Sequence, residues 1–226
     1  PMEGAIINGW HYQHQGNTIS LIEGYDNVTD FARHAESKGF RSCKLSPYVC
    51  RLFKGEYEYN GTKYHIGKYT LGQSQLHGLL YDVPFEVISH EANEHLAMVV
   101  LQHTYAGSDI GYPFPFDMIV TYTLSHKDKV TITTEVVNKH ADSIPLADGW
   151  HPYFSLGTSV DNLTLQIATD TMVSFDEQLI PTGELAAETR FANGLLLAGT
   201  ALDNCFLLQK SLDNQPACTL TNIADD

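Results

Sequence analysis

Alternation of apolar and polar side chains is the feature that most constrains how this chain can fold. In MIVTYTLS (118–125) every second side chain falls on one face of an extended chain, and VTITTEVV (130–137) repeats the pattern. A period of two is typical of a half-buried β-strand, whereas an amphipathic helix needs a period near 3.6. The polar residues HKDK (126–129) between the two runs predict a hairpin loop.

Two more stretches predict hairpins. In GEYEYNGTKYHI, Asn60 and Gly61 separate two alternating runs, and both residue types tolerate the positive φ angles of a type I′ turn. In FEVISHEANEHLAMVVLQHTY the loop is expected near Ala92 to Glu94. LTLQIAT (163–169) and NCFLLQK (204–210) are further strand-like runs.

Helical signals are confined to NVTDFARHAESKG, which has an N-cap candidate at Asn27 or Thr29 and Gly39 at the expected C-terminal cap. No repeat, low-complexity tract or Pro/Gly/Ser-rich linker marks a boundary, so a single domain over 1–226 is expected. An antiparallel system of roughly a dozen strands or more must curl or split into two packed layers. The sequence therefore predicts an all-β protein with one short helix.

The charge balance excludes several classes of partner. Asp and Glu outnumber Lys and Arg by 27 to 13, which gives a formal net charge of −14. A field of that sign repels phosphate backbones and anionic lipids, so we expect no nucleic-acid and no membrane partner. PMEGAIINGW lacks the basic start and apolar run of a signal peptide, although a first residue other than Met leaves removal of an upstream segment open. The chain is expected to be soluble.

Four cysteines, Cys43, Cys50, Cys205 and Cys218, show no C-x-x-C spacing and are too sparse for a disulfide scaffold. We expect thiols, most of them buried in the core, and a reducing cytoplasm as the location. The signatures of serine hydrolases, nucleotide-phosphate loops, zinc helices and dinucleotide-binding turns are missing from the sequence.

Two histidines stand on constrained chain. His77 in QLHGLLYD precedes Gly78, which permits a bend or a close backbone approach, and His151 in DGWHPYF precedes Pro152, which favours an extended backbone at the histidine. On this evidence alone, the favoured interpretation of each histidine is a hydrogen-bonded structural or surface residue.

Two charges stand inside apolar runs, Arg51 in YVCRLFKG and Asp203 in TALDNCFLLQ. Such groups are seldom fully buried unless they are paired or line a cavity. Pairing of Arg51 with Asp203, or with neighbours, is the alternative to a role in a site.

The order of six motifs resembles the aldose 1-epimerases, the galactose mutarotase group. They are LSPYVCRLFKGEYEYNGTKYHI, LHG, GYPF, DGWHPYF, FDEQLIPTGE and LDNCF, and the likeness runs from near the N-terminus to about residue 208. The resemblance implies a β-supersandwich of two large antiparallel sheets with an open cleft for a free sugar. It also implies that no metal and no organic cofactor is needed.

The family's reaction gives each residue an expected role. Interconverting α and β anomers requires a proton for the ring oxygen and removal of one from the anomeric hydroxyl, and a histidine with an ordinary pKa of about 6.5 can carry such a proton. The resemblance implies that His151 is the acid and that His77 holds and polarises the sugar oxygens. It implies that Arg51 and Asp203 bind hydroxyl groups.

This sequence departs from the family pattern at several positions. Leu79 stands where a second Gly often follows LHG, and Cys50 stands where an Asn often precedes the arginine. The family's base is a glutamate beyond the D-[HN]-x-F motif, and the sequence ends at TLTNIADD without a match; Glu184 belongs to the IPTGE stretch and is not a substitute. We expect the 226 residues to be a fragment, with a short, catalytically impaired protein as the alternative.

Three other readings stay open. The cleft could bind or sense a sugar without catalysis, or the protein could be a hexose-6-phosphate 1-epimerase, although no basic cluster supports this. A metal site formed by His77, His151 and Asp203 is possible by residue type. The preferred sugar and the oligomeric state are not predicted.

Overall fold

The structure is a computed structural model that describes residues 3–14, 16–125, 129–209 and 215–224. These residues form nineteen strands, one α-helix and one short 3₁₀-helix, and the registered strand pairs are antiparallel. The all-β prediction is therefore confirmed. The helix is α1 (Val28–His34), and the 3₁₀ turn spans Val160–Asn162.

The strands in chain order are β1 His11–His14, β2 Asn17–Ser20, β3 Lys44–Leu45, β4 Arg51–Phe53, β5 Glu56–Tyr59, β6 Thr62–His65, β7 Thr70–Leu71, β8 Ser74–Leu76, β9 Glu86–Ala92, β10 Leu96–Tyr105, β11 Phe116–Ser125, β12 Lys129–Asn138, β13 Gly149–Trp150, β14 Leu163–Ile167, β15 Thr171–Phe175, β16 Pro181–Ala187, β17 Leu195–Leu196, β18 Cys205–Leu207 and β19 Cys218–Asn222.

The chain divides into two compact units, the first formed by 1–12 and 22–153 and the second by 13–21 and 154–226. The first unit contains a four-stranded sheet of order β12-β11-β10-β9 and the smaller sheets β13-β3, β4-β8-β7 and β5-β6. The second contains the three-stranded sheets β17-β14-β19 and β16-β15-β18. The single domain expected over 1–226 stays a prediction.

The predicted hairpins are present. β5 and β6 pair through Asn60 and Gly61, whose φ angles of 49° and 74° are the positive values that the turn requires. β9 pairs with β10, and β10 pairs with β11. β11 pairs with β12 as expected, but residues 126–128 of the loop between them lie outside the described residues. The run 204–210 is a strand only over β18, and residue 210 is also outside the described part.

The alternation places the core where the sequence predicts it. Met118 and Val120 are fully buried in the main cluster of the first unit, whereas Leu124, expected on the same face, is 49% exposed because it lies near the end of β11. All four cysteines carry thiols, as expected. The prediction that most of them fill the core is wrong, because only Cys43 is buried and the other three are exposed.

Helix α1 begins at a predicted N-cap but ends earlier than expected, with Ala35 and not Gly39 as its C-cap. The Asn27 side chain accepts a hydrogen bond from the Asp30 amide, so Asn27 and not Thr29 is the N-cap. Regular helix stops at His34, and turns lead to Gly39, whose amide donates to the Glu36 carbonyl. With the bond from the Phe40 amide to the Ala35 carbonyl, this is the hydrogen-bond pair of a Schellman cap. The described residues contain no helix long and apolar enough to cross a bilayer.

Candidate functional site

The rings of His77 and His151 are in contact in the first unit. Their centroids are 5.2 Å apart, and the ring planes meet at 76°, an edge-to-face arrangement. The two residues come from separate sheets, since His77 follows β8 and His151 follows β13. The structure therefore brings together the two histidines that the sequence singles out.

The backbone around His77 is held in an unusual conformation. His77 has φ +65° and Gly78 has φ +80°, and Gly78 forms a parallel bridge with Ser46. A Cβ on Gly78 would lie 2.2 Å from the Ser46 carbonyl oxygen, so only glycine permits this approach. The His77 amide donates to the Cys50 carbonyl at 3.0 Å. The close approach expected after LHG is present.

The backbone of His151 is held by the chain that precedes β3. The His151 amide donates to the Cys43 carbonyl at 3.1 Å, and the Ser42 amide donates to the His151 carbonyl at 2.8 Å. These bonds extend the short β13–β3 ladder, in which Gly149 is opposite Leu45 and Trp150 is opposite Lys44. The backbone of His151 is thus fixed through both its amide and its carbonyl.

One stretch, residues 42–51, bonds to the backbone of both histidines. Its first residues hold His151, and its later residues, Ser46 and Cys50, hold the segment of His77 and Gly78. The stretch ends at Arg51, which opens β4 and lies opposite Leu76, the residue before His77. We call this stretch the 42–51 segment. Arg51 is near enough to His77 for its charge to lower the pKa of that ring.

His77 is a buried, neutral imidazole at pH 7. It is 7% exposed and packs against the Phe40 ring with centroids 4.6 Å apart. Burial, together with the nearby His151 and Arg51, lowers the pKa of His77 to about 4. Its Nδ1 atom is buried without a hydrogen-bond partner among the described residues. A neutral ring has one N–H donor and one acceptor nitrogen, which suits it to bind a hydroxyl group.

His151 is half-buried and lies between two rings. Its other neighbour is Tyr153, stacked at 5.5 Å with an interplanar angle of 26°. The Arg41 guanidinium lies 5.4 Å from the Tyr153 ring centroid and forms an ion pair with Glu23 at 3.1 Å. His151 is therefore the more accessible imidazole of the pair, while its orientation is restricted on both sides.

Asp203 lies in the second unit, in the irregular segment between β17 and β18, and is exposed. Its expected role in binding hydroxyl groups stays a prediction. Among the described residues, no group of three or more His, Cys, Asp or Glu side chains is arranged to hold a metal ion.

Lys44, whose side chain is fully buried, was not predicted as a site residue. Its ammonium nitrogen lies 2.5 Å from Asp148 Oδ2, donates to Thr134 Oγ1 at 3.0 Å, and lies 4.4 Å from the Trp150 ring centroid. Burial lowers the pKa of Lys44, and the Asp148 carboxylate opposes that shift. The only sequence signal was the acid at the start of DGWHPYF, 104 positions from its partner.

Comparisons with known proteins agree with the motif resemblance. The profile of the family described as Aldose 1-epimerase matches residues 1–224. A maltose epimerase of Levilactobacillus brevis is 24% identical over 189 residues, which cover 80% of this chain and 53% of the relative. An aldose 1-epimerase of Streptococcus thermophilus is 23% identical over 175 residues, which cover 75% of this chain and 48% of that protein. The chain thus spans about half the length of these curated relatives.

A solved structure has the same fold. The GalM/aldose epimerase homologue from C. elegans superposes with a TM-score of 0.79 at 21% identity, covering 96% of this chain and 69% of that one. At this identity the likeness concerns the fold alone. The expected β-supersandwich fold class is confirmed.

Proposed function

This chain belongs to the aldose 1-epimerase family, and on that premise we propose that its protein interconverts the α and β anomers of a free hexose by acid–base opening of the sugar ring. The observation that carries the proposal is the contact of the His77 and His151 rings, with centroids 5.2 Å apart, beside Arg51. Two imidazoles in different surroundings can take different roles, one binding a sugar oxygen through a hydrogen bond and the other protonating the ring oxygen.

The division of roles follows from burial. Because the pKa of His77 is lowered to about 4, this ring stays neutral at pH 7 and acts as a hydrogen-bond partner of a sugar oxygen. The proton-carrying role falls to His151, the more accessible ring. His151 donates its proton to the ring oxygen as the ring opens to the aldehyde, and it recovers a proton when the ring closes on the other face.

Arg51 and Asp203 are proposed to bind hydroxyl groups. The guanidinium of Arg51 offers a rigid fork of donors, and the Asp203 carboxylate can accept from two hydroxyls. The family's proton acceptor for the anomeric hydroxyl is a glutamate that we match to no residue of this sequence. Because the chain spans about half the length of its curated relatives, activity is to be measured on full-length protein.

The proposed substrates are free monosaccharides such as glucose and galactose. Maltose belongs in the same panel, because one relative carries the name maltose epimerase. A cytoplasmic location is proposed, since exposed thiols at Cys50, Cys205 and Cys218 suit a reducing compartment.

The direct test is polarimetry on freshly dissolved α-glucose, α-galactose and α-maltose. We expect full-length protein to speed the approach to equilibrium, and His151→Ala to lose about 10²- to 10⁴-fold of that effect while retaining the fold. His90→Ala, a change at an exposed histidine of β9, is the matched control and should keep the wild-type rate. Equilibration no faster than in buffer, for every sugar tried, would reject the proposal.

A second candidate is a sugar-binding or sensing protein that uses the same residues without catalysis. The buried neutral ring of His77, which suits a hydroxyl group, supports this candidate as well. It predicts saturable binding of a sugar in calorimetry, weakened by Arg51→Ala, with no change in the rate of mutarotation. A measurable rate enhancement contradicts it.

A further inference from the structure

The side chain of Lys44 is a buried cation. Lys44 directly follows Ser42 and Cys43, the two residues that hydrogen-bond to the His151 backbone. Lys44 in β3 is 0% exposed, and its ammonium group contacts Asp148, Thr134 and Trp150. A buried ammonium is unfavourable unless it is paired and hydrogen-bonded, and here all these contacts come from other elements. The Lys44 ammonium nitrogen therefore contacts parts of the chain that are distant from β3 in the sequence.

Two of the elements that Lys44 joins, β3 and β13, share only a short ladder. The β13–β3 ladder has only two residue pairs, and the loop before β13 lacks regular structure. Through Thr134 the ammonium also bonds to β12, the edge strand of the four-stranded sheet in the same unit. The Trp150 ring adds an edge-to-face contact with Tyr122 of β11, at 6.0 Å between centroids. Lys44 thus fixes β13 against the larger sheet.

The two faces of the chain from Asp148 to Tyr153 make different contacts. Side chains alternate along extended chain, so Asp148 and Trp150 share one face, and both contact Lys44. His151 and Tyr153 belong to the other face, where their rings stack and His151 meets His77. The Lys44 contacts consequently restrain the strand from behind the histidine and do not involve its ring.

We propose that Lys44, paired with Asp148, is a positioning residue that fixes the ring of His151 against His77. The backbone carries the effect, because the residues just before Lys44, Ser42 and Cys43, hold the amide and carbonyl of His151. The kinetic part of this inference rests on the proposed function. The geometric part, the contact of the two rings, does not.

The decisive variant is Lys44→Met, which preserves length and removes the charge. Asp148 is 28% exposed and can be hydrated when its partner is lost, whereas Asp148→Asn would leave a buried ammonium without its counterion. Thr134→Val is the milder second variant, because it removes one hydrogen bond and keeps the ion pair. Lys139→Met is the matched control: Lys139 pairs with Asp117 of β11 at 2.9 Å, and its side chain is 50% exposed.

Two measurements are made on each full-length variant. The first is the nuclear Overhauser contact between the ring protons of His77 and His151, and the second is the rate of mutarotation per folded molecule, with the folded fraction taken from circular dichroism. For Lys44→Met we expect loss of the ring contact and a fall in kcat of about 10- to 100-fold with little change in KM, as a misplaced acid gives. Lys139→Met should keep both the contact and kcat.

The outcomes separate positioning from stability. If Lys44→Met keeps the ring contact and the wild-type kcat per folded molecule, Lys44 is only structural and the inference is overturned. If that variant does not fold, Thr134→Val decides: a weakened ring contact supports the inference and an unchanged contact overturns it. If wild-type protein catalyses no mutarotation, the proposed function fails, and the ring contact alone decides the role of Lys44.

Discussion

His77 is buried as a neutral imidazole, so protonation of this ring at low pH should destabilise the folded state. Its imidazole is packed against Phe40 and next to the guanidinium of Arg51, so a proton on the ring would be both desolvated and repelled. In the unfolded chain the same ring titrates near its ordinary pKa of about 6.5. Between that value and about 4, the unfolded state binds a proton that the folded state does not. Stability must therefore fall as the pH falls through this window.

This linkage can be measured with His77→Gln, which does not titrate. From pH 7 to pH 5 the wild type should lose about 2 kcal/mol more unfolding free energy than the variant, an order-of-magnitude value that follows from the difference in pKa. Urea unfolding at the two pH values measures it. His90→Gln, at an exposed position of β9, should lose as much as the wild type. Equal losses for wild type and His77→Gln would show that His77 is not buried neutral.

Residue identity predicted part of this site and missed the rest. A histidine before Gly78 and another before Pro152 could be recognised as residues on constrained chain, and the structure holds both as expected. Lys44 could not be recognised, because its counterion is 104 positions away and neither residue breaks a local pattern. Burial of a charge depends on a partner that only the tertiary fold supplies.

At the scale of elements, the 42–51 segment determines where the site lies. It is mostly irregular and contains only the short β3 before it reaches β4 at Arg51. Its hydrogen bonds to His151 and its bridge from Ser46 to Gly78 replace the regular ladder of a long strand. Alternation predicted the long hairpins well, but a segment held by isolated bonds has no period and left no such signal in the sequence.

The tight bridge predicts a large cost for Gly78→Ala. The new Cβ would lie 2.2 Å from the Ser46 carbonyl oxygen on a backbone with φ +80°, so we expect a loss of at least about 3 kcal/mol of unfolding free energy. Gly72→Ala is the matched control, because Gly72 also has positive φ but nothing lies within 4 Å of its Cβ position. It should lose only about 1 kcal/mol. Chemical denaturation of both variants tests the difference. Similar losses would mean that the positive φ angle, and not the close contact with Ser46, sets the cost at Gly78.

At the scale of the whole molecule, the formal charge of −14 affects which sugars can approach. A negative field raises the energy of an anion near the surface and leaves a neutral hexose unaffected. Salt screens such a field, with a Debye length of about 10 Å at 0.1 M ionic strength.

We therefore expect full-length protein to prefer glucose to glucose 6-phosphate. The ratio of kcat/KM for the two sugars should be largest at low ionic strength and should decrease as salt is added. Mutarotation rates at several salt concentrations measure it, with galactose as the neutral reference whose rate should not depend on salt. A preference for the phosphorylated sugar would favour the hexose-6-phosphate branch of the family.

A single run of ten residues hydrogen-bonds to the backbone of both histidines, and it therefore governs how the distance between the two rings responds to substitutions elsewhere. When that run shifts as a body, both imidazoles travel with it, and the gap between them is conserved. Substitutions that touch neither this run nor the partners of Lys44, such as those at the exposed positions of β9, can then accumulate without separating the two rings. The tolerance ends at the run and at the partners of Lys44, Asp148 and Thr134, where a displaced backbone would move one imidazole and leave the other behind.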